Sequence, residues 1–153
     1  MRNLSSTLAV TALAMLCACD RETTGPAKPN NGTMSAVIDG VAWSALSIAT
    51  DSTAPSSIVI QGSKGNQTLA IAVPLEQGPG TQTVGSTTPV FAVLVTEPQW
   101  WAASRTQGGA GSITLTTVAP GHIVGTFEFT MAAHEGASPA ERRVSSGQFD
   151  VTY

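Results

Sequence analysis

From Thr33 to Tyr153 apolar residues recur at every second position, and turn-forming residues interrupt them about every ten residues. That period places side chains alternately on the two faces of an extended strand, whereas a helix needs apolar residues at spacings of three and four. The clearest case is "HIVGTFEFTM". Here Ile123, Phe127, Phe129 and Met131 fall on one side, with Thr126, Glu128 and Thr130 opposite. "QFDVTY" repeats the pattern, with Phe149, Val151 and Tyr153 expected inward. Near the start, "MSAVIDGVAWSA" sets Met34, Ala36 and Ile38 on one face, then Asp39-Gly40, then Val41, Trp43 and Ala45. Asp-Gly between alternating runs signals a hairpin, because both residues tolerate positive φ. "SSIVIQG" and "QTLAIAV" flank "SKGN" as a second hairpin, and "PVFAVLVTE", apolar on both faces, reads as a strand buried between two layers. No segment keeps a 3.6-residue period over ten residues; "PQWWAASR" comes nearest and is short. About eight or nine strands are expected, which makes the fold all-β: an antiparallel β-sandwich or a barrel.

Composition agrees with that class. Charged residues make up 11% of the chain, well below the usual quarter, while Thr, Ser, Ala, Val and Gly are abundant. Such residues suit a pleated surface better than a helix. The formal net charge is −3, and the seven Lys and Arg residues are scattered. A nucleic-acid surface needs clustered cations to displace counterions from phosphates, so nucleic acid is excluded as a partner. A domain of about 120 residues buries its own core without staples. The four Phe, Tyr153 and Trp43 are expected to supply much of its bulk.

The first residues, "MRNLSSTLAVTALAMLCAC", follow a different rule. One cation, Arg2, precedes an apolar run from Leu4 to Leu16 that is too short to cross a bilayer core, which takes roughly 20 residues. This matches the hydrophobic stretch of a secretory signal. Leu16-Cys17-Ala18-Cys19 resembles the cleavage box of bacterial lipoproteins, with Leu at −3, a small residue at −1 and Cys at +1. Cys17 does not fit the +1 position, because Leu16 would then stand where a small residue is required. The resemblance implies a signal peptide over residues 1–18, removed before Cys19, and a diacylglycerol anchor with further acylation (palmitate or similar) on Cys19. One acyl chain binds a membrane only marginally, at roughly 0.8 kcal/mol per buried CH₂, so two or three chains are what make such an anchor permanent. With Cys17 removed and Cys19 lipidated, the mature domain holds no thiol for disulfide, metal or nucleophilic chemistry.

Residues 19–32 carry the lipid and a tether. "DRETTGPAKPNNG" lacks apolar periodicity and contains Pro26, Pro29 and Asn-Asn-Gly. About a dozen residues span at most ~40 Å and ~20 Å on average, which keeps the domain, residues 33–153, close to the bilayer. The expected location is the bacterial cell envelope. Asp20, beside the lipidated residue, resembles an inner-membrane retention signal of enteric bacteria, a rule that varies between lineages, so inner and outer membranes both stay open.

"AVIDGVAWSA" and the ending "GTFEFTMAA…SSGQFDVTY" resemble a family of uncharacterised bacterial lipoproteins, which carries an Asp-Gly-x-x-Trp hairpin and closes with Gly-Thr-Phe-x-Phe and Gly-x-Phe-x-Val strands. The resemblance covers both ends of the domain and leaves Asp51 to Ala110 unmatched. It implies a β-sandwich or lipocalin-like barrel and no activity.

Residues able to carry chemistry are few. His122 and Glu128 share a strand face but stand about 20 Å apart at ~3.3 Å per residue, beyond one coordination sphere, and His134 and Glu135 are loop neighbours without further ligands. No metal site and no cofactor is expected. Serines are plentiful, but there is no G-x-S-x-G elbow, and no acid pair suggests glycoside hydrolysis. "QGGAGS" lacks the Lys and the helix of a phosphate loop and reads as a hairpin loop. No catalytic residues are assigned.

"TEPQWWAASR" is the exception. Trp100 and Trp101 are adjacent, so in an extended segment they point to opposite faces. One can join the core. The other is covered by loops, packed in a second layer, set at a membrane interface, or free to present a flat apolar platform to a ligand, with Glu97 and Arg105 as polar neighbours. The expected function is a membrane-anchored, non-catalytic module that binds a small molecule or glycan. The alternative is a structural lipoprotein that docks on another envelope protein through a sheet edge or patch.

Overall fold

The computed structural model describes residues 31–52, 56–85 and 90–153. The expected signal peptide, Cys19 and the tether up to Asn30 lie outside the described residues. Eleven strands form one antiparallel sheet: β1 (Gly32–Ile38), β2 (Val41–Ser44), β3 (Ser47–Asp51), β4 (Ser57–Lys64), β5 (Gln67–Pro74), β6 (Gly80–Thr83), β7 (Phe91–Thr96), β8 (Gln99–Ala103), β9 (Ala110–Ala119), β10 (His122–Ala133) and β11 (Glu141–Thr152). There is no helix among the described residues. Nine strands run side by side in the order β2-β1-β11-β10-β8-β7-β5-β4-β3, while β9 pairs with β10 and carries β6 on its far side. The fold is all-β as expected, a strongly curled half-barrel.

The curl is visible in the register. First and last strands pair, with Gly32 opposite Val151 and Ile38 opposite Val144. The two ends of the nine-strand path, β2 and β3, are consecutive in the chain, separated only by Ala45 and Leu46. The Ala45 amide donates to Met34 O of β1 and the Leu46 amide to Ser63 O of β4. Local chemistry sets the two hairpins expected from sequence. Asp39 (φ 48°) and Gly40 (φ 83°) form the two-residue β1–β2 turn, and Gly65 (φ 60°) opens the β4–β5 turn.

The concave face holds the core, including Met34, Trp43, Ile60, Leu69, Leu94 and Trp101. Its tightest layer comes from a repeated Gly-x-Phe. Gly125 lies opposite Phe149 and Phe127 opposite Gly147 across β10 and β11, so each ring fills the room that the facing glycine leaves. A Cβ built on Gly147 would stand 2.3 Å from the Phe127 ring, and one on Gly125 2.7 Å from the Phe149 ring. The Phe127 ring also lies 5.9 Å from that of Phe129 and 6.2 Å from that of Phe149. Offset aromatic contacts of this kind add to the burial itself, which for one such ring is worth about 3–5 kcal/mol against Ala.

Several facings differ from expectation. Tyr153 follows the end of β11 and is 38% exposed, and Val41, beside the turn, is 69% exposed. Both stand where a strand ends, beyond the reach of the opposing layer. In β7 only Ala92 and Leu94 face the core, while Phe91, Val93 and Val95 are half-buried on the convex face, so this strand has one buried side and not two. Core bulk comes from Trp101 in place of Phe91 and Tyr153. "PQWWAASR" is not helical: it forms β8 and the start of the turn to β9. Within "QGGAGS", Gly108 bridges to Ser104 in that turn and Ala110 begins β9.

Candidate functional site

The two adjacent tryptophans occupy opposite faces of β8, as strand geometry requires. Trp101 is opposite Leu94 and only 1% exposed. Its Nε1 donates to Pro139 O at 2.7 Å, and the Arg142 guanidinium lies 4.7 Å from its ring centroid. Arg142 in turn pairs with Asp39, whose Oδ1 also accepts the Arg143 amide at 2.7 Å. Trp101 is therefore a structural anchor that ties the last loop to the β1–β2 turn. It is not free to meet a ligand.

Trp100 turns outward. Its ring stacks on His134 with centroids 3.9 Å apart and planes 18° from parallel. The pairing is set by backbone: β10 runs past the end of β9 to meet β8, with Ala132 opposite Ala102 and Ala133 opposite Trp101, and the His134 amide donates to Trp100 O at 3.0 Å. Around the pair is an open groove of about 280 Å³, bounded by Pro98, Gln99, Glu135 and Ala137. It offers an aromatic surface beside an amide and a carboxylate.

Glu97 is exposed in the β7–β8 turn next to Pro98, at the edge of this groove. Arg105 is exposed in the turn after β8 and does not line it. The structure thus brings Trp100 and Glu97 to one end of the molecule and leaves Trp101 inside and Arg105 apart. His134 and Arg142 enter the site unannounced: His134 through the overrun of β10, Arg142 as the cation on Trp101.

A larger opening of about 500 Å³ lies between the β1–β2 and β4–β5 turns. Trp43 lines it but is only 4% exposed, and Arg142 is already paired with Asp39. Its remaining polar lining is Lys64, Asn66 and Gln67, and it presents no exposed aromatic face. On the convex face His122 Nε2 meets Asp150 Oδ1 at 2.7 Å, but both side chains are largely exposed, 40% and 61%. No three His, Cys, Asp or Glu residues among those described converge as metal ligands.

The groove sits far from where the chain enters. Gly32 pairs with Val151, and Val151 with Ile123 near the start of β10. His134 follows the other end of that strand, roughly 36 Å along at ~3.3 Å per residue. Trp100 and His134 share this distal pole with the turns at 39–40, 65–66 and 97–98.

Comparison with known sequences finds one family. The model of a domain of unknown function (DUF6252) matches residues 30–150. No curated protein and no solved structure matches the chain.

Proposed function

We propose that this chain, which belongs to the domain-of-unknown-function family DUF6252, is a non-catalytic binding module held in a bacterial cell envelope by lipid on Cys19. The observation that carries the reading is the Trp100–His134 stack in an open groove at the pole opposite the chain entry. The part of the half-buried Trp100–His134 stack that borders the groove suits the apolar C–H face of a sugar ring, while Gln99 and Glu135 suit its hydroxyls. In this reading the tether leaves from the Gly32 end, opposite the groove, and a ligand approaches from the side away from the bilayer.

Titration of the full chain in detergent micelles with soluble glycans tests this. Saturable binding by calorimetry is expected, lost in Trp100→Ala while the melting temperature is retained. Equal binding by Trp100→Ala would remove the groove from the reading. Recovery of a stoichiometric envelope protein by crosslinking, with no glycan response, would replace it with the docking alternative. Anchoring has its own test: incorporation of a labelled fatty acid, abolished in Cys19→Ala together with membrane retention.

A further inference from the structure

The Trp100–His134 groove stands at the end of an outward-facing row of residues, with half-buried Ala132 between it and the rest. Along β10 every second residue faces outward: Thr126 and Glu128 are exposed, Thr130 and Ala132 half-buried, and His134 continues the row. Two more grooves open on this row. One, about 420 Å³, is lined by Ser112, Thr114, Thr126, Glu128, Ser146 and Gln148. Its neighbour, about 290 Å³, shares Glu128 and adds Thr130 and Arg143. The row from Thr126 to His134 covers roughly 26 Å at ~3.3 Å per residue.

The first of these grooves owes its depth to a bulge. Phe127 pairs with Gly147 and Phe129 with Val144, so Ser145 and Ser146 together oppose Glu128. Ser146 takes φ 51°, a left-handed conformation that residues with a Cβ adopt at an energetic cost. Neighbouring hydroxyls are held in place by cross-strand bonds: Thr114 Oγ1 to Thr81 Oγ1 at 2.8 Å, and Gln148 Nε2 donating to Ser35 Oγ at 3.1 Å, which leaves the Gln148 carbonyl free to accept.

We propose that the three grooves form one binding track along the outer face of β10, and that its ligand is a neutral linear glycan several rings long. The proposal rests on the reading of Trp100 as a sugar platform and extends it. Hydroxyls that both donate and accept, a carboxylate and an amide carbonyl match the mixed donors and acceptors of sugar hydroxyls. A polyanion does not fit, because Arg143 is the one Lys or Arg among the described residues lining the grooves, against Glu128 and Glu135. A single small molecule would leave most of the track empty.

Calorimetry on the full chain in detergent, with cello-, N-acetylchito- and oligogalacturonic saccharides and sulfated counterparts from one to six rings, tests the track. Kd is expected to fall at least tenfold from the disaccharide to the hexasaccharide of the preferred series. Glu128→Gln and Gln148→Ala, both exposed positions, should weaken the hexasaccharide at least fivefold and leave the disaccharide unchanged. Trp100→Ala should weaken both. Length-independent binding that still needs Trp100 would overturn the track and leave the single-groove reading standing. Absence of binding at every length would overturn both, and preference for a sulfated or uronic glycan would overturn the ligand class.

Discussion

Gly147→Ala probes the packing logic of the half-barrel directly. The new Cβ would lie 2.3, 2.4 and 2.6 Å from Cε2, Cδ2 and Cζ of Phe127. Ordinary carbon contacts need about 3.5–4.0 Å, so the ring must retreat by more than about 1 Å. It has nowhere to go: Phe127 is 4% exposed and packed between Phe129 and Phe149. Phe149 in turn is fitted over Gly125. Overpacking of this kind costs about 1–3 kcal/mol, and the immobility of the ring points to the upper half of that range. Gly147 has no positive φ, so backbone strain contributes nothing. Urea unfolding followed by Trp emission should show a lower midpoint at unchanged slope. The decisive measurement is the cycle with Phe127→Leu. In the native background that truncation removes a well-packed ring and destabilises; in the Gly147→Ala background it relieves the clash. The two changes should therefore couple by about 1–2 kcal/mol, where independent sites add to within about 0.5. Additive behaviour, or a Gly147→Ala cost below about 0.5 kcal/mol, would refute the reciprocal Gly–Phe account.

Trp101→Ala should cost about 3–5 kcal/mol in the same assay, since it empties a 1% exposed site and leaves Pro139 O without its donor, whereas Trp100→Ala should cost far less. Asp39→Ala forces a φ of 48° on a residue without a polar side chain and removes the acceptor for the Arg143 amide. A loss of about 1–3 kcal/mol is expected in thermal melts, with Asp39→Asn recovering part of it. His122→Asn should change stability by no more than about 0.5 kcal/mol, because its pair with Asp150 is solvated on both sides. A larger shift on chemical denaturation would show that the pair helps to hold the sheet together.

What could be read from the chain was what local chemistry decides. Asp39-Gly40 needs only its own φ angles to make a turn, and strict alternation through "GTFEFTM" needs only the pleat. The facings of Val41, Phe91 and Tyr153 depended instead on where the opposing layer ends, which alternation does not encode. The bulge in β11 did leave a trace. Val144 and Gly147 both point inward although three residues apart, and "VSSGQF" breaks the two-residue period at the place where the Glu128 groove opens. The doubled Gly-x-Phe was visible as a motif, but its reciprocity appears only once the two strands are set antiparallel in register. His134 had no local signal as the partner of Trp100, because their contact follows from β10 outrunning β9 and meeting β8 across some thirty residues of chain.

The same overrun decides how an anchored chain would face its surroundings. On the proposed anchoring, lipid on Cys19 would act through the end of the sheet where Gly32 enters, and β10 carries the aromatic pair to the other. A tether of about a dozen residues, at most ~40 Å long, could let the domain lie on its side. That posture would press Glu97, Glu135 and Glu141 toward headgroups that are commonly anionic, with exposed Lys64 and Arg143 near the same pole offsetting much of their charge. The small negative balance gives a weak preference for the upright posture, in which the outer face of β10 stands along the membrane normal. The proposed track from Thr126 up to His134 would then face a chain-like ligand outside the bilayer. The position of Trp100, half-buried against His134 at the pole away from Gly32, therefore argues against a membrane-interface role.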